Sequence, residues 1–388
     1  MNTPYYVIHK KELDDNFHKL QCAIAEHWEN AIIGYSYKTN ALPWIIKHFD
    51  KLGCYAEVVS EDEYELAKQI GVKKDCIIYN GPIKTKPSFA EAIKNGCIVN
   101  ADSQRELNWL DELDVEKKSI GIRVNFDIEK YCPGQSQCGN EGGRFGFCLE
   151  NGEFGKVLDR LKKSNVKVSG IHLHTSSKTR GVDIYRAIAQ TACEIQDKYH
   201  LDLDYIDVGG GFFGGLSTKP QFDEYIASIA EILRTRFDKK RTKLIIEPGM
   251  AVIGAPVSYV STVIDVKDTE YNRFVITDGS RTSIDPLMTK SSYFHTYKRA
   301  NDTDVIKKQV VCGYTCMEHD RLFEAHNEPA LQVDDKIIYQ KVGAYTMCLT
   351  PLFIRYFPDV YVESDGNYTK VREAWKPTDY IAKSIVEE

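Results

Sequence analysis

Eight short apolar and β-branched runs punctuate the first two-thirds of the chain, at 31–35, 54–59, 76–79, 97–100, 119–124, 168–174, 204–208 and 243–247. Helix-like segments separate them, at 61–70, 88–95, 103–111, 151–164, 183–199 and 221–236. A chain that alternates this way builds a parallel sheet, because parallel neighbours need a long crossover and a helix supplies it. A closed (β/α)8 barrel and an open doubly wound sheet both satisfy the pattern, and the strand count does not separate them. The helix ends carry their own punctuation. In SEDEYELAKQIG, Ser60 is the expected cap, acids fill the first turn and Gly71 ends the helix. In ADSQRELNWL, Ser103 is the expected cap, with Glu106 three residues on.

Beyond about residue 252 the texture changes. APVSYVSTVIDVK, NRFVITDG, KKQVVCGY and KIIYQKV are strand-like, with turn residues between them. The expected division is a (β/α)8 barrel over 11–252 and a mostly antiparallel, sandwich- or barrel-like β domain over 253–388. The N-terminal run PYYVIH, within 3–9, is expected to join that second domain.

Composition excludes some partners. The net charge of −6 argues against general nucleic-acid binding, which needs a basic surface. The basic run RTRFDKKRTK reads as a solvated helix end. No apolar run reaches the roughly 20 residues of a membrane span. The opening segment has no apolar core behind a basic start, so no signal peptide is expected. Eleven cysteines without a CxxC pair fit a reducing cytoplasm better than a disulfide framework.

In a barrel, chemistry collects at the C-terminal ends of the strands. Those ends carry Lys38, Glu57, Asn80, Arg123, His172 and His174, then DVGGGFFGG (Asp207 to Gly215) and IEPG (Ile246 to Gly249). A lysine ending a buried strand either snorkels to the surface or offers its amine to a carbonyl. Consecutive glycines let backbone N–H groups approach an anion, although a tight turn also uses them. His172 and His174 share one face of an extended strand, where they suit zinc, an aromatic ligand or plain packing. Glu247, inside the barrel mouth, needs a partner, and a protonated pyridine nitrogen would serve. Pyridoxal 5'-phosphate needs a lysine for its aldehyde, an acid for its ring nitrogen, a phosphate cradle and a flat group against its ring.

With these motifs in order, the chain resembles the fold-type III pyridoxal phosphate decarboxylases, the family of the diaminopimelate, ornithine/lysine and carboxynorspermidine enzymes. YSYKTN resembles the motif of the cofactor lysine, here Lys38. HLHTSS resembles the strand with a stacking histidine, His174, and a phosphate-binding serine, Ser177. DVGGGFFGG is similar to the phosphate loop, with Gly209, Gly210 and Gly211, and IEPG supplies Glu247 and Gly249. CGYTCMEHDRL resembles the motif carrying a catalytic cysteine, Cys316, and a nearby acid, Asp320. GAYT resembles the late motif whose tyrosine, Tyr345, reaches the phosphate and substrate. Arg123 and Glu57 match positions lining the barrel near the cofactor. The resemblance implies an alanine racemase-like barrel, amino-acid decarboxylation and a homodimer with shared sites. In it, Cys316 of one chain protonates product in its partner's site.

Two departures bear on substrate. Diaminopimelate enzymes carry arginine after EPG, where this chain has Met250. The residue after the cysteine is usually an acid, and here it is Met317. An apolar lining does not offset the desolvation of a distal charge. The expected substrate is therefore a non-standard amino acid of a biosynthetic pathway, with diaminopimelate or carboxynorspermidine as the alternative. Arg281, Asp285, Lys290 and His295 are further specificity candidates. An amino-acid racemase would carry arginine in place of Glu247. A catalytically inactive regulator would be expected to lose cofactor contacts that this chain keeps. A zinc enzyme would need ligands beyond the His172 and His174 pair.

Overall fold

The computed structural model describes residues 1–114 and 118–385. It forms two compact units, Phe17–Ala251 and Met1–Asn16 with Val252–Glu388. The last three residues of the expected second domain, 386–388, lie outside the described residues.

In the first unit, eight strands form the barrel in order, Ala31–Ser36, Tyr55–Ser60, Ile77–Ile83, Ile98–Ala101, Ser119–Asn125, Lys167–His172, Tyr205–Asp207 and Lys243–Ile246, and a short ninth, Phe147–Cys148, pairs beside the fifth. Each barrel strand pairs in parallel with the next. The last pairs in parallel with the first, through Leu244 with Ala31 and Ile245 with Ile32. That closure makes the sheet a (β/α)8 barrel and removes the open-sheet alternative.

One strand ends earlier than the sequence suggests. The expected strand 168–174 stops at His172, and His174 lies beyond it. Its neighbour ends at Asp207 and turns through Gly209, whose φ is +71°. No extended edge remains there for residue 174 to pair with. A helix cap also differs. Ser60 accepts the Glu63 N–H at 3.1 Å, and Gly71 closes that helix at φ +85°, as expected. Ser103 sits at the cap position of Gln104–Glu112, but its buried hydroxyl makes no capping bond. Glu106 instead accepts the Asp102 N–H at 2.6 Å and pairs with the buried Lys84 ammonium at 3.3 Å. A buried cation holds a carboxylate more strongly than a neutral cap does.

Side chains alternate along a strand, so every second residue faces the barrel interior. Ile32, Ile78, Tyr205 and Ile245 pack there as one apolar cluster. Two residues further along four strands, the same parity places Gly34, Asn80, Asp207 and Glu247. The interior thus changes from an apolar floor to a polar mouth within one step of each strand. Tyr205 fills the floor because two neighbours are glycines. A methyl at Gly170 would lie 2.2 Å from its ring, and one at Gly121 would lie 1.9 Å from its hydroxyl.

The second unit is a nine-stranded sheet. Its main path runs Arg321–Pro329, Val305–Cys312, Arg273–Thr277, Val257–Asp268, Tyr5–His9, Asp359–Ser364 and Asn367–Arg372, with Lys336–Gln340 and Phe294–Lys298 off that path. Most pairs are antiparallel. Tyr5–His9 pairs antiparallel with Val257–Asp268 and parallel with Asp359–Ser364. Among the described residues no helix is long and apolar enough to cross a membrane.

Overpacking a full core costs about 1–3 kcal/mol. The Tyr205 ring cannot swing away freely, because its hydroxyl donates to Asn100 Oδ1 at 2.7 Å. Gly170→Ala is expected to lower the urea midpoint by a corresponding amount, and to cost less in a Tyr205→Leu background. Equal costs in both backgrounds would show that the ring is not the obstacle.

Candidate active site

Lys38 follows its strand on a short 3-10 turn, Tyr37–Thr39. Its Nζ donates to Glu57 Oε2 at 2.7 Å. The Glu57 side chain is 1% exposed, whereas that of Lys38 is 38% exposed. A carboxylate so deeply buried needs donors on both oxygens. Ser36 Oγ donates to Oε2 at 2.5 Å, and Asn80 Nδ2 donates to Oε1 at 3.1 Å. The amine therefore points back into the barrel mouth and is held there by charge.

Asn80 links that acid to a second one. Its Nδ2 also donates to Glu247 Oε1 at 2.5 Å. Its Oδ1 accepts from Asn100 Nδ2 at 2.8 Å, which places the amide within a chain ending at Tyr205. Parity puts Asn80 at a strand end, but nothing in the sequence announces that it joins two carboxylates.

Glu247 lies 3.5 Å from His172 Nε2. That approach is electrostatic contact without hydrogen-bond alignment, and both His172 ring nitrogens lack a hydrogen-bond partner. Burial works to raise the Glu247 carboxyl. The fields of His172 and Lys38, with hydrogen bonding, overcome it and hold the group below the usual carboxylate range. Asp207 goes the other way: burial first, then the charge of Glu247, push its carboxyl well above the usual range. Two adjacent buried acids cannot both ionise, so Glu247 carries the charge and Asp207 keeps the proton.

His174 is neutral. Burial, then the positive charges of Arg123 and Lys38, lower its imidazole to about 3. Its Nδ1 accepts the Gly210 N–H at 3.3 Å. The ring lies 6.3 Å from that of His172, with 21° between the planes. Arg123 Nη2 approaches the His174 carbonyl at 3.4 Å, and its Nη1 lies 3.4 Å from Asp102.

The glycine loop is crowded by backbone and side chains alike. A Cβ on Gly209 would fall 2.5 Å from His174 Nδ1, and one on Gly210 would fall 2.0 Å from the Glu247 carbonyl. Gly249 has Thr39 Oγ1 at 2.1 Å from the same imagined atom. Gly211 is exposed, with φ +96°. Ser177 is buried and accepts the Arg180 N–H at 3.0 Å. The Arg180 guanidinium lies against the Met250 thioether, so the surroundings of Met250 are not wholly apolar. Chain spacing gives no sign of that contact, because the two residues sit on different loops.

The barrel unit thus gathers Lys38, Glu57, Asn80, His172, Asp207 and Glu247 at its strand ends. The remaining expected residues belong to the second unit. Cys316 is exposed, and Met317 and Tyr345 are half-buried. Asp320 is buried and fully engaged, accepting from Ser280 Oγ at 3.0 Å, Arg281 N at 2.9 Å and Thr315 Oγ1 at 2.6 Å. It therefore ties down the loop that carries Cys316. Arg281 pairs with buried Asp285 at 3.1 Å and donates to the Lys290 carbonyl at 3.0 Å. His295 stacks on Phe323 at 4.0 Å.

Comparison with known proteins identifies the family. A probable chloroplastic diaminopimelate decarboxylase of Oryza sativa subsp. japonica is 27% identical, over 98% of this chain and 79% of its own length. An L-glutamyl-[BtrI acyl-carrier protein] decarboxylase of Niallia circulans is 26% identical, over 100% and 94%. The crystal structure of a diaminopimelate decarboxylase from M. jannaschii shares the fold at a TM-score of 0.88, with 24% identity and coverage of 100% and 93%. Residues 12–254 match the family described as pyridoxal-dependent decarboxylase, pyridoxal binding domain. The chain therefore belongs to the pyridoxal-dependent decarboxylases: its cofactor is pyridoxal 5'-phosphate and its activity is amino-acid decarboxylation.

Proposed function

We propose that this enzyme decarboxylates a non-standard amino acid of a biosynthetic pathway, in the cytoplasm, as a homodimer with shared sites. The observation that carries the site assignment is the Lys38 amine held at 2.7 Å from buried Glu57, one asparagine away from a second carboxylate that stays ionised. The residues present fit the cofactor. Gly209, Gly210 and Gly249 leave no room for side chains, and Ser177 is buried with its Oγ accepting the Arg180 N–H.

Bound pyridoxal phosphate supplies an electron sink for the pair left behind when carbon dioxide departs. Each residue then has a defined task. Lys38 offers its amine to the cofactor aldehyde, with Glu57 Oε2 placed to take its proton. Glu247, kept ionised, holds the ring nitrogen protonated, and neutral His174 packs flat without competing for that charge. Ser177, Gly209, Gly210, Gly211, Gly249 and Tyr345 hold the phosphate, and Arg123 orders the loop beneath His174. Cys316 of a second copy protonates the product carbon, on a loop that Asp320 fixes. Met250, Met317, Arg281 and Tyr345 shape the substrate's far end, Arg281 through its bond to Asp285.

The substrate reading rests on Met250 and Met317, which place no carboxylate or arginine of their own beside the substrate's distal end. Carbon dioxide release should be measured across a panel of amino acids that includes meso-diaminopimelate and ornithine. Ordinary efficiency on either of these two would refute the non-standard substrate. Inversion of a stereocentre without carbon dioxide would point instead to a racemase.

Two acids predict opposite outcomes. Glu247→Gln should lower kcat by at least about 100-fold, because a neutral amide cannot hold a charged ring nitrogen. Asp207→Asn should stay within about tenfold of wild type, because the native group is already neutral. A larger loss from Asp207→Asn would reverse the proton assignment. His174 predicts the pH dependence of the apoprotein. Its folded value of about 3 lies below the ordinary 6.5, so the unfolded chain binds more protons between the two. Stability from this group is complete above about pH 6.5 and lost as pH falls. The melting midpoint should therefore drop more from about pH 7 to about pH 5 in wild type than in His174→Asn.

A further inference from the structure

The proposed phosphate cradle is built from a hydroxyl and glycine amides, all neutral. A phosphate dianion held that way still lacks a counter-charge. Arg180 stands where the three cradle segments meet. Its N–H donates to Ser177 Oγ at 3.0 Å, its guanidinium lies 5.4 Å from the ring centre of Phe213 in the glycine loop, and it touches Met250, the residue after Gly249. Because Ser177 Oγ accepts from Arg180, its own proton is left to donate.

The guanidinium is poorly satisfied. A thioether is a weak acceptor, and among the described residues no carboxylate pairs with Arg180. Its backbone is nonetheless fixed. Arg180 has φ +52°, a conformation uncommon for a side-chain-bearing residue, and Tyr225 Oη donates to its carbonyl at 2.6 Å. Tyr225 packs edge-on against Phe212 at 5.1 Å and Tyr185 at 5.0 Å. Tyr185 in turn donates to the Gly210 carbonyl at 3.0 Å. One aromatic cluster therefore sets both the glycine loop and the arginine.

We propose that Arg180 is the cation that holds the cofactor's phosphate in this chain, reaching it from the loop after the sixth strand. This rests on reading Ser177 and the glycines as the phosphate cradle. The shared chemistry is oxyanion recognition, and the alternative source of the oxyanion is a carboxylate of the substrate.

The test titrates wild-type, Arg180→Met, Arg180→Lys and Lys219→Met apoproteins with pyridoxal phosphate, and separately with pyridoxal, which lacks the phosphate. Lys219 is another, exposed cation over the Phe213 ring, at 5.2 Å. Arg180→Met should raise the pyridoxal phosphate Kd by about 10- to 100-fold, as loss of a charged hydrogen bond does. It should leave pyridoxal affinity unchanged, and Arg180→Lys should recover part of the loss. Lys219→Met should shift the Kd by less than about threefold. Unchanged pyridoxal phosphate affinity in Arg180→Met, with a higher KM only for amino acids bearing a second carboxylate, would assign the guanidinium to substrate and overturn the proposal. Equal losses in Arg180→Met and Lys219→Met would overturn it as well, showing a general field rather than a contact. Wild-type apoprotein that took up no pyridoxal phosphate would instead bring down the cradle reading itself.

Discussion

The bond between Lys38 and Glu57 organises the barrel mouth. A carboxylate that is 1% exposed is tolerable only with charge and donors around it. The lysine supplies the charge, and Ser36 and Asn80 supply further donors. Asn80 then has a second hydrogen to give, and it goes to Glu247. Removing the amine would leave Glu57 buried beside an asparagine that another acid also needs. The first, second, third and eighth strands are therefore coupled through four side chains, Lys38, Glu57, Asn80 and Glu247. Structural and chemical demands coincide here in the proposed function, since the lysine that satisfies the buried acid is also the one proposed to bond the cofactor.

The mouth also sorts its protons by position rather than by residue type. Glu247 and Asp207 are both buried carboxyls on adjacent strands, yet they end in opposite states. The charges of Lys38 and the contact with His172 favour ionisation at Glu247. Asp207, buried and beside the charge of Glu247, with the Gly209 N–H donating to it, yields. His174, close to Arg123 and Lys38, stays neutral for the converse reason. The mouth thus keeps Glu247 ionised and His174 beside it neutral.

Much of this was legible from residue order. The alternation of short apolar runs with capped helices pointed to a parallel α/β sheet, and the strand ends singled out Glu57, Asn80 and Glu247; closure into a barrel shows only in the pairing of the last strand with the first. What parity could not give was where a strand stops. His174 leaves its strand because the neighbouring chain turns through glycine, a long-range effect invisible in IHLHTSS. Ser103 makes no capping bond, and the Glu106 carboxylate is taken instead by the Asp102 N–H and by Lys84, 19 positions before Ser103. Met250 read as an apolar substrate wall, yet Arg180 lies against it from another loop. The early strand end and the missing cap arose where contacts between distant segments overrode a local signal, and the Arg180 contact adds to the Met250 reading what no local signal shows. Asp320 and Arg281 also carry structural bonds of which the sequence gives no sign.

The central claim is that Lys38 ends its buried strand in order to bond the cofactor. The direct measurement is borohydride reduction of the purified holoenzyme, followed by digestion and mass spectrometry of the labelled peptide. The account predicts loss of the visible cofactor band, with the reduced pyridoxyl group found on the peptide carrying Lys38. A label on any other lysine, such as the buried Lys84, would contradict it. So would an enzyme with a full complement of cofactor and no reducible bond to Lys38.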